Sequence, residues 1–109
     1  MKNPLKAKVK AGKTVIGMVN GINHPDVPEI LARMGLDFML WDTEHSPIEV
    51  ETVQQLMIAA SYNPDCVPII RVGWNDMVRI KKALDTGAYG LIIPWVNTQE
   101  EAENADTGR

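Results

Sequence analysis

The chain has 109 residues, 45% of them apolar, one cysteine and a formal net charge of −3 at pH 7. That length allows one domain at most, and the mild acidic balance argues against a nucleic-acid partner, which would leave a basic face. No stretch approaches the ~20 apolar residues of a membrane span. The N-terminus lacks the apolar core of a signal peptide. Cys66 has no partner for an internal disulfide. A cytoplasmic location is the resulting expectation, with Cys66 a small buried hydrophobe ahead of an apolar run.

The first segment carries Lys2, Lys6, Lys8, Lys10 and Lys13 around Leu5 and Val9, which reads as a solvated helix rather than a binding patch. After it, two kinds of segment alternate. Residues 14–19, 38–41, 67–72 and 90–96 are short, nearly continuous apolar runs, as expected of strands covered on both faces in a parallel sheet. Between the first two, Pro25 can open a helix whose apolar face is Val27, Ile30, Leu31 and Met34, with Gly35 ending it. Ser46-Pro47-Ile48-Glu49 has the form of a capping box with proline at the first helical position, followed by a stripe of Val50, Val53, Met57 and Ala60. Asn75 can cap a third helix carrying Met77, Ile80 and Leu84, stopped near Gly87. Thr98-Gln99-Glu100-Glu101 is a second capping box, opening a helix that the final Ala105-Asp106-Thr107-Gly108-Arg109 stops early.

A helix followed by four β–α units is an α/β chain with a parallel sheet. It fits either an open doubly wound sheet or the first half of a TIM (β/α)8 barrel. A whole barrel takes eight units and typically about 250 residues. An open sheet of this kind usually has a glycine-rich anion-binding turn, and no G-x-G-x-x-G or Walker pattern occurs. Residues 1–109 are therefore expected to be a truncated N-terminal half-barrel.

In parallel α/β proteins functional groups gather at the C-terminal strand ends. Those positions hold Asn20, Asn23 and His24; then Asp42-Thr43-Glu44-His45; then Arg71 with Gly73-Trp74-Asn75-Asp76; then Pro94-Trp95-Val96-Asn97. Asp42 three residues before His45 either orients an imidazole base or caps a turn. Arg71 inside an apolar run must face a site or form a buried salt bridge, with Asp42 or Glu44 as partner. His24 before Pro25 reads as a helix cap. Glu44 could touch a metal, but no ligand cluster of recognisable spacing surrounds it. Spacing alone makes Asp85 an exposed helix-end carboxylate.

The runs Trp41-Asp42-Thr43-Glu44-His45, Val67-Pro68-Ile69-Ile70-Arg71-Val72-Gly73-Trp74-Asn75-Asp76 and Ile80-Lys81-Lys82-Ala83-Leu84-Asp85-Thr86-Gly87-Ala88, in that order, resemble the HpcH/HpaI aldolase/citrate lyase family of class II pyruvate aldolases. The resemblance implies reversible cleavage of a 4-hydroxy-2-oxo acid to pyruvate and an aldehyde. It implies His45 as the proton-transferring base, Arg71 as the enolate-stabilising cation, and Asp42 as the acid orienting His45. Asp85 would be the carboxylate raising the basicity of His45, reaching it from a neighbouring subunit. A divalent metal (magnesium, manganese or cobalt) is implied as Lewis acid, with ligands beyond residue 109, and a homo-oligomer, trimer or hexamer, as the assembly. A Schiff-base lysine is not expected, since no strand end carries one. Two other readings are a non-catalytic half-barrel that pairs with itself or another chain, and a citryl-CoA-lyase-like enzyme.

Overall fold

The computed structural model describes residues 2–107. Helix α1, Pro4–Lys10, is opened by the Asn3 side chain, which accepts from the Lys6 amide, and buries no residue. There follow β1 (Gly17–Asn20), α2 (Asp26–Leu31), β2 (Phe38–Asp42), α3 (Val50–Ala60), β3 (Val67–Arg71), α4 (Met77–Asp85), β4 (Gly90–Ile92) and α5 (Gln99–Thr107). The strands form one parallel sheet in the order β1-β2-β3-β4.

That order decides between the two architectures. When each strand lies beside its predecessor and every crossover is right-handed, all connecting helices fall on the same face. A doubly wound sheet reverses direction and carries helices on both faces. This sheet never reverses, so its fold is of the barrel type.

Helices α2, α3 and α4 cover the single helical face. Its core packs Met39 and Trp41 of β2 and Ile70 and Val72 around β3 against Val53, Leu56 and Ala60 of α3 and Ile80 and Ala83 of α4. Alternate residues point the other way. Asp42 is in register with Arg71, and Arg71 with Ile92, while Val19, Leu40 and Ile69 form the row below. The outer members of this second face remain open, Val19 at 57% and Ile92 at 43% exposure.

Several boundaries differ from the sequence expectation, each for a local reason. β1 starts at Gly17 because the Ile16 amide is taken by the Asp37 carboxylate at 2.9 Å. Phe38 then lays its ring over Gly17, where a Cβ would come within 2.4 Å of ring atoms. α2 ends at Leu31 and buries Pro28, whereas Ile30 and Met34 of the expected stripe are 60% and 62% exposed. α3 begins at Val50 instead of Pro47. Ser46 does not cap it: its hydroxyl donates to the Asp42 carbonyl and accepts from the Ile48 amide at 3.3 Å, and the N-cap position falls at Glu49. The cap of α4 is Asp76, accepting from the Val78 and Arg79 amides, and Asn75 instead donates to the Glu101 carbonyl at 2.8 Å. β4 stops at Ile92, ahead of Pro94, which has no N–H to give to a ladder. The second capping box forms as expected: Thr98 Oγ1 accepts from the Glu101 amide at 3.1 Å, and Glu101 Oε2 from the Thr98 amide at 3.1 Å. Helix α5 does not stop early; Ala105, Asp106 and Thr107 are all helical. Gly108 and Arg109 lie outside the described residues.

Candidate active site

The C-terminal ends of β2 and β3 bring one acid and one base into register. Asp42 and Arg71 are direct partners across the ladder. Arg71 Nε donates to Asp42 Oδ1 at 3.1 Å and Nη2 to Asp42 Oδ2 at 2.6 Å. This two-pronged geometry suits the planar guanidinium fork. Asp42 is buried, and its Oδ1 also accepts from the Glu44 and His45 amides at 2.9 and 3.0 Å. The hydrogen bonds from Arg71 hold the Asp42 carboxyl at a pKa of about 2, outweighing burial, which acts in the opposite sense. The same contact pushes the Arg71 guanidinium above its usual range. The pair is therefore fully ionised through the whole neutral region.

Both alternatives left open for Asp42 and Arg71 bear on what is observed. Asp42 does cap the turn leaving β2, and Arg71 does form the salt bridge. The guanidinium is not exhausted by it: Nη1 makes no hydrogen bond among the described residues, and the side chain is 27% exposed. One edge of the fork thus remains able to donate to an anionic oxygen. Thr43 locks the two strand ends further, its hydroxyl and amide both donating to the Arg71 carbonyl, at 2.6 and 3.0 Å.

His45 stands above this pair with its side chain 66% exposed. Its Nδ1 is 3.7 Å from Asp42 Oδ2 and 3.0 Å from Glu44 Oε1. The carboxylate nearest the imidazole is thus Glu44, which the sequence offered as a metal contact or a salt-bridge partner of Arg71 but not as a neighbour of His45. Glu44 Oε1 also lies 3.9 Å from Arg71 Nε, and its buried Oε2 has no hydrogen-bond partner. The signal that could have found it was the residue type itself. A glutamate in the turn after an apolar strand has the reach to fold back over a cation placed on the next strand.

Asp85 is not part of this cluster. It closes α4, roughly 12 Å along the helix from the end nearest the site, and faces Val50, Glu51, Gln54 and Lys82 in the outer layer. His24 is not the N-cap of α2, which is Pro25; from one residue earlier its Nδ1 accepts from the Asp26 amide at 3.2 Å. Cys66 is buried, and burial raises its thiol pKa. Among the described residues no group of three or more His, Cys, Asp or Glu side chains is placed to hold a metal ion.

A model of the HpcH/HpaI aldolase/citrate lyase family matches residues 16–108. The chain belongs to this family. It is 45% identical over 106 residues to the 4-hydroxy-2-oxo-heptane-1,7-dioate aldolase of Salmonella dublin, covering 96% of this chain and 40% of that protein. It is 44% identical over 105 residues to the hydroxypyruvate/pyruvate aldolase of Sagittula stellata, covering 95% of this chain and 41% of that protein. A crystal structure of an HpcH/HpaI aldolase/citrate lyase family protein from Burkholderia cenocepacia J2315 superposes with a TM-score of 0.88 at 28% identity, covering 95% of this chain and 41% of that one. The chain spans about two fifths of the length of the relatives it matches. Its in-order parallel strands are those of a barrel-type HpcH/HpaI fold.

Proposed function

We propose that this chain carries the proton-transfer and enolate-binding part of a class II pyruvate aldolase, a carbon–carbon lyase that reversibly cleaves a 4-hydroxy-2-oxo acid to pyruvate and an aldehyde. The observation that carries the reading is the anchored Arg71, with one donor edge unused, beside the exposed imidazole of His45.

In cleavage, His45 takes the proton from the C4 hydroxyl. The C4 oxygen forms the aldehyde carbonyl as the C3–C4 bond breaks, and the electron pair passes through C3–C2 to the C2 oxygen. The free edge of Arg71 donates to that enolate oxygen, a charge that develops only as the bond breaks, so the contact favours the transition state over the substrate. Protonation at C3 then gives pyruvate, and the reverse sequence makes the aldol. Asp42 holds Arg71 in place and fixes the turn that carries His45. Glu44 lies against the imidazole Nδ1, leaving Nε2 as the nitrogen free to act as base.

The divalent metal implied by the family (magnesium, manganese or cobalt) does not fit the described residues alone, which supply no cage for it. Its ligands in this reading come from outside residues 1–109, and the 109 residues by themselves are expected to be inactive. Asp85 can assist His45 only from another copy, since within one chain it lies in the outer helical layer. A trimeric or hexameric assembly is part of the same proposal.

The test is pyruvate release from a 4-hydroxy-2-oxo acid, with and without added magnesium, manganese or cobalt. It uses a chimaera in which residues 1–109 replace the matching segment of the Salmonella dublin relative. Turnover should need metal and fall by at least about a thousandfold in His45→Ala, the scale of a lost general base. A folded chimaera that cleaves no such acid would sink the aldolase reading. Unchanged turnover in His45→Ala would remove His45 from it.

A further inference from the structure

At the same rim as Arg71, on its β4 side, two tryptophans stand side by side. Trp74 follows Arg71 by three residues, and Trp95 follows the Arg71 partner Ile92 by three. Their ring centroids are 6.2 Å apart with planes tilted by 41°, and they are 55% and 64% exposed. Trp95 is the one non-glycine among the described residues with a positive φ, at 61°. Such a conformation is unfavourable for a bulky residue and persists only where its surroundings hold it.

The two rings wall a cleft of about 590 Å³ completed by Asn75, Asn97, Glu100, Glu101 and Asn104. Part of this polar lining is fixed. Asn75 donates to the Glu101 carbonyl, Asn104 donates to Asn75, and Glu101 Oε2 accepts from the Asn97 and Thr98 amides. The Asn97 side chain, Asn104 Oδ1 and the Glu100 carboxylate make no hydrogen bond of their own among the described residues. The cleft thus offers two flat apolar faces, several free hydrogen-bonding groups, two carboxylates and no cation.

We propose that Trp74 and Trp95 receive the aldehyde partner, and that this cleft selects a neutral, polyhydroxylated aldehyde over one ending in a carboxylate. The inference deepens the aldolase reading and rests on it. A hydroxylated chain presents C–H faces to the indoles and hydroxyls to the amides and Glu100. A terminal carboxylate would face Glu100 and Glu101 with no counter-charge, and such repulsion is a source of selectivity. Arg79 packs against Gly73, its Nη1 at 2.7 Å from where a Cβ on Gly73 would sit, and is not among the residues that line the cleft.

Binding can be read without turnover, by saturation-transfer NMR on the 109-residue chain. The probes are threitol, a neutral four-carbon polyol, and succinate, a carboxylate-ended chain. Saturation should reach the carbon-bound protons of threitol and not those of succinate. It should fall at least about fivefold in Trp95→Gly, which keeps the positive φ at ease, and in Trp74→Ala. In the chimaera the same Trp95→Gly change should raise KM for glyceraldehyde about tenfold, the scale of a lost aromatic contact, with a smaller change in kcat. Absence of transfer to threitol, or transfer unchanged in the folded variants, would overturn the proposal. Stronger transfer to succinate that disappears in Arg79→Ala would overturn it too, by placing the acceptor at Arg79. Loss of the aldolase reading itself would show in pyruvate release and leave the threitol result standing.

Discussion

The Asp42–Arg71 pair makes a quantitative prediction about stability. Asp42 titrates near 4 when unpaired and at about 2 in the folded chain. That lowering corresponds to roughly 2 kcal/mol of folding free energy at neutral pH. Because the folded value is the lower one, this contribution is complete above the unfolded pKa. It is lost as the pH falls through the folded one, so it should fade between about pH 4 and pH 2. Asp42→Asn removes the charge and keeps an oxygen able to accept from the Glu44 and His45 amides. Its cost should therefore approach the 2 kcal/mol set by ionisation and stay below the ~3–5 kcal/mol of stranding a fully buried charge, since Arg71 is partly exposed. Urea unfolding of the parent and the variant, repeated from pH 7 down to pH 2, measures the difference directly. The gap should be about 2 kcal/mol at pH 7 and shrink to about 0.4 kcal/mol at pH 2, where the folded carboxylate is half protonated. A gap that is absent at pH 7, or one that persists undiminished at pH 2, would refute the assignment of that stability to the ionised pair.

Two further outcomes test the scaffold. Gly17→Ala should destabilise by about 1–3 kcal/mol in thermal unfolding, because the new methyl occupies the place of the Phe38 ring and drives it off β1. Thr98→Ala should cost about 1 kcal/mol through loss of the capping box, read as faster amide exchange in α5 with little change at the buried core of β2 and β3.

The β–α alternation was legible because its causes are local. Four continuous apolar runs meet the demand of a sheet covered on both sides, and Thr98-x-x-Glu101 closes its own hydrogen bonds within one turn. Ser46-x-x-Glu49 has the same form and behaves differently. The Ser46 hydroxyl bonds the Asp42 carbonyl and the Ile48 amide within the turn after β2, and the helix starts only at Val50. Similarly, Ile30 and Met34 have helical spacing, yet α2 turns Pro28 inward. Periodicity names a face without saying whether the neighbouring layer extends far enough to cover it.

The sequence by itself determined which segments become strands and helices, which residues stand at the C-terminal strand ends, and the family resemblance carried by Asp42-x-Glu44-His45 with Arg71. Tertiary structure alone decided that the strands lie in chain order, that Arg71 pairs with Asp42, that Glu44 comes nearest to His45, and that Asp85 sits in the outer layer. The physical reason is distance along the chain. Hydrogen bonds and side-chain spacing within a turn depend on a few adjacent residues. The Asp42–Arg71 contact spans 29 residues and exists only because β2 and β3 pair in one register, where a slip of one residue would send these two charges to opposite faces of the sheet.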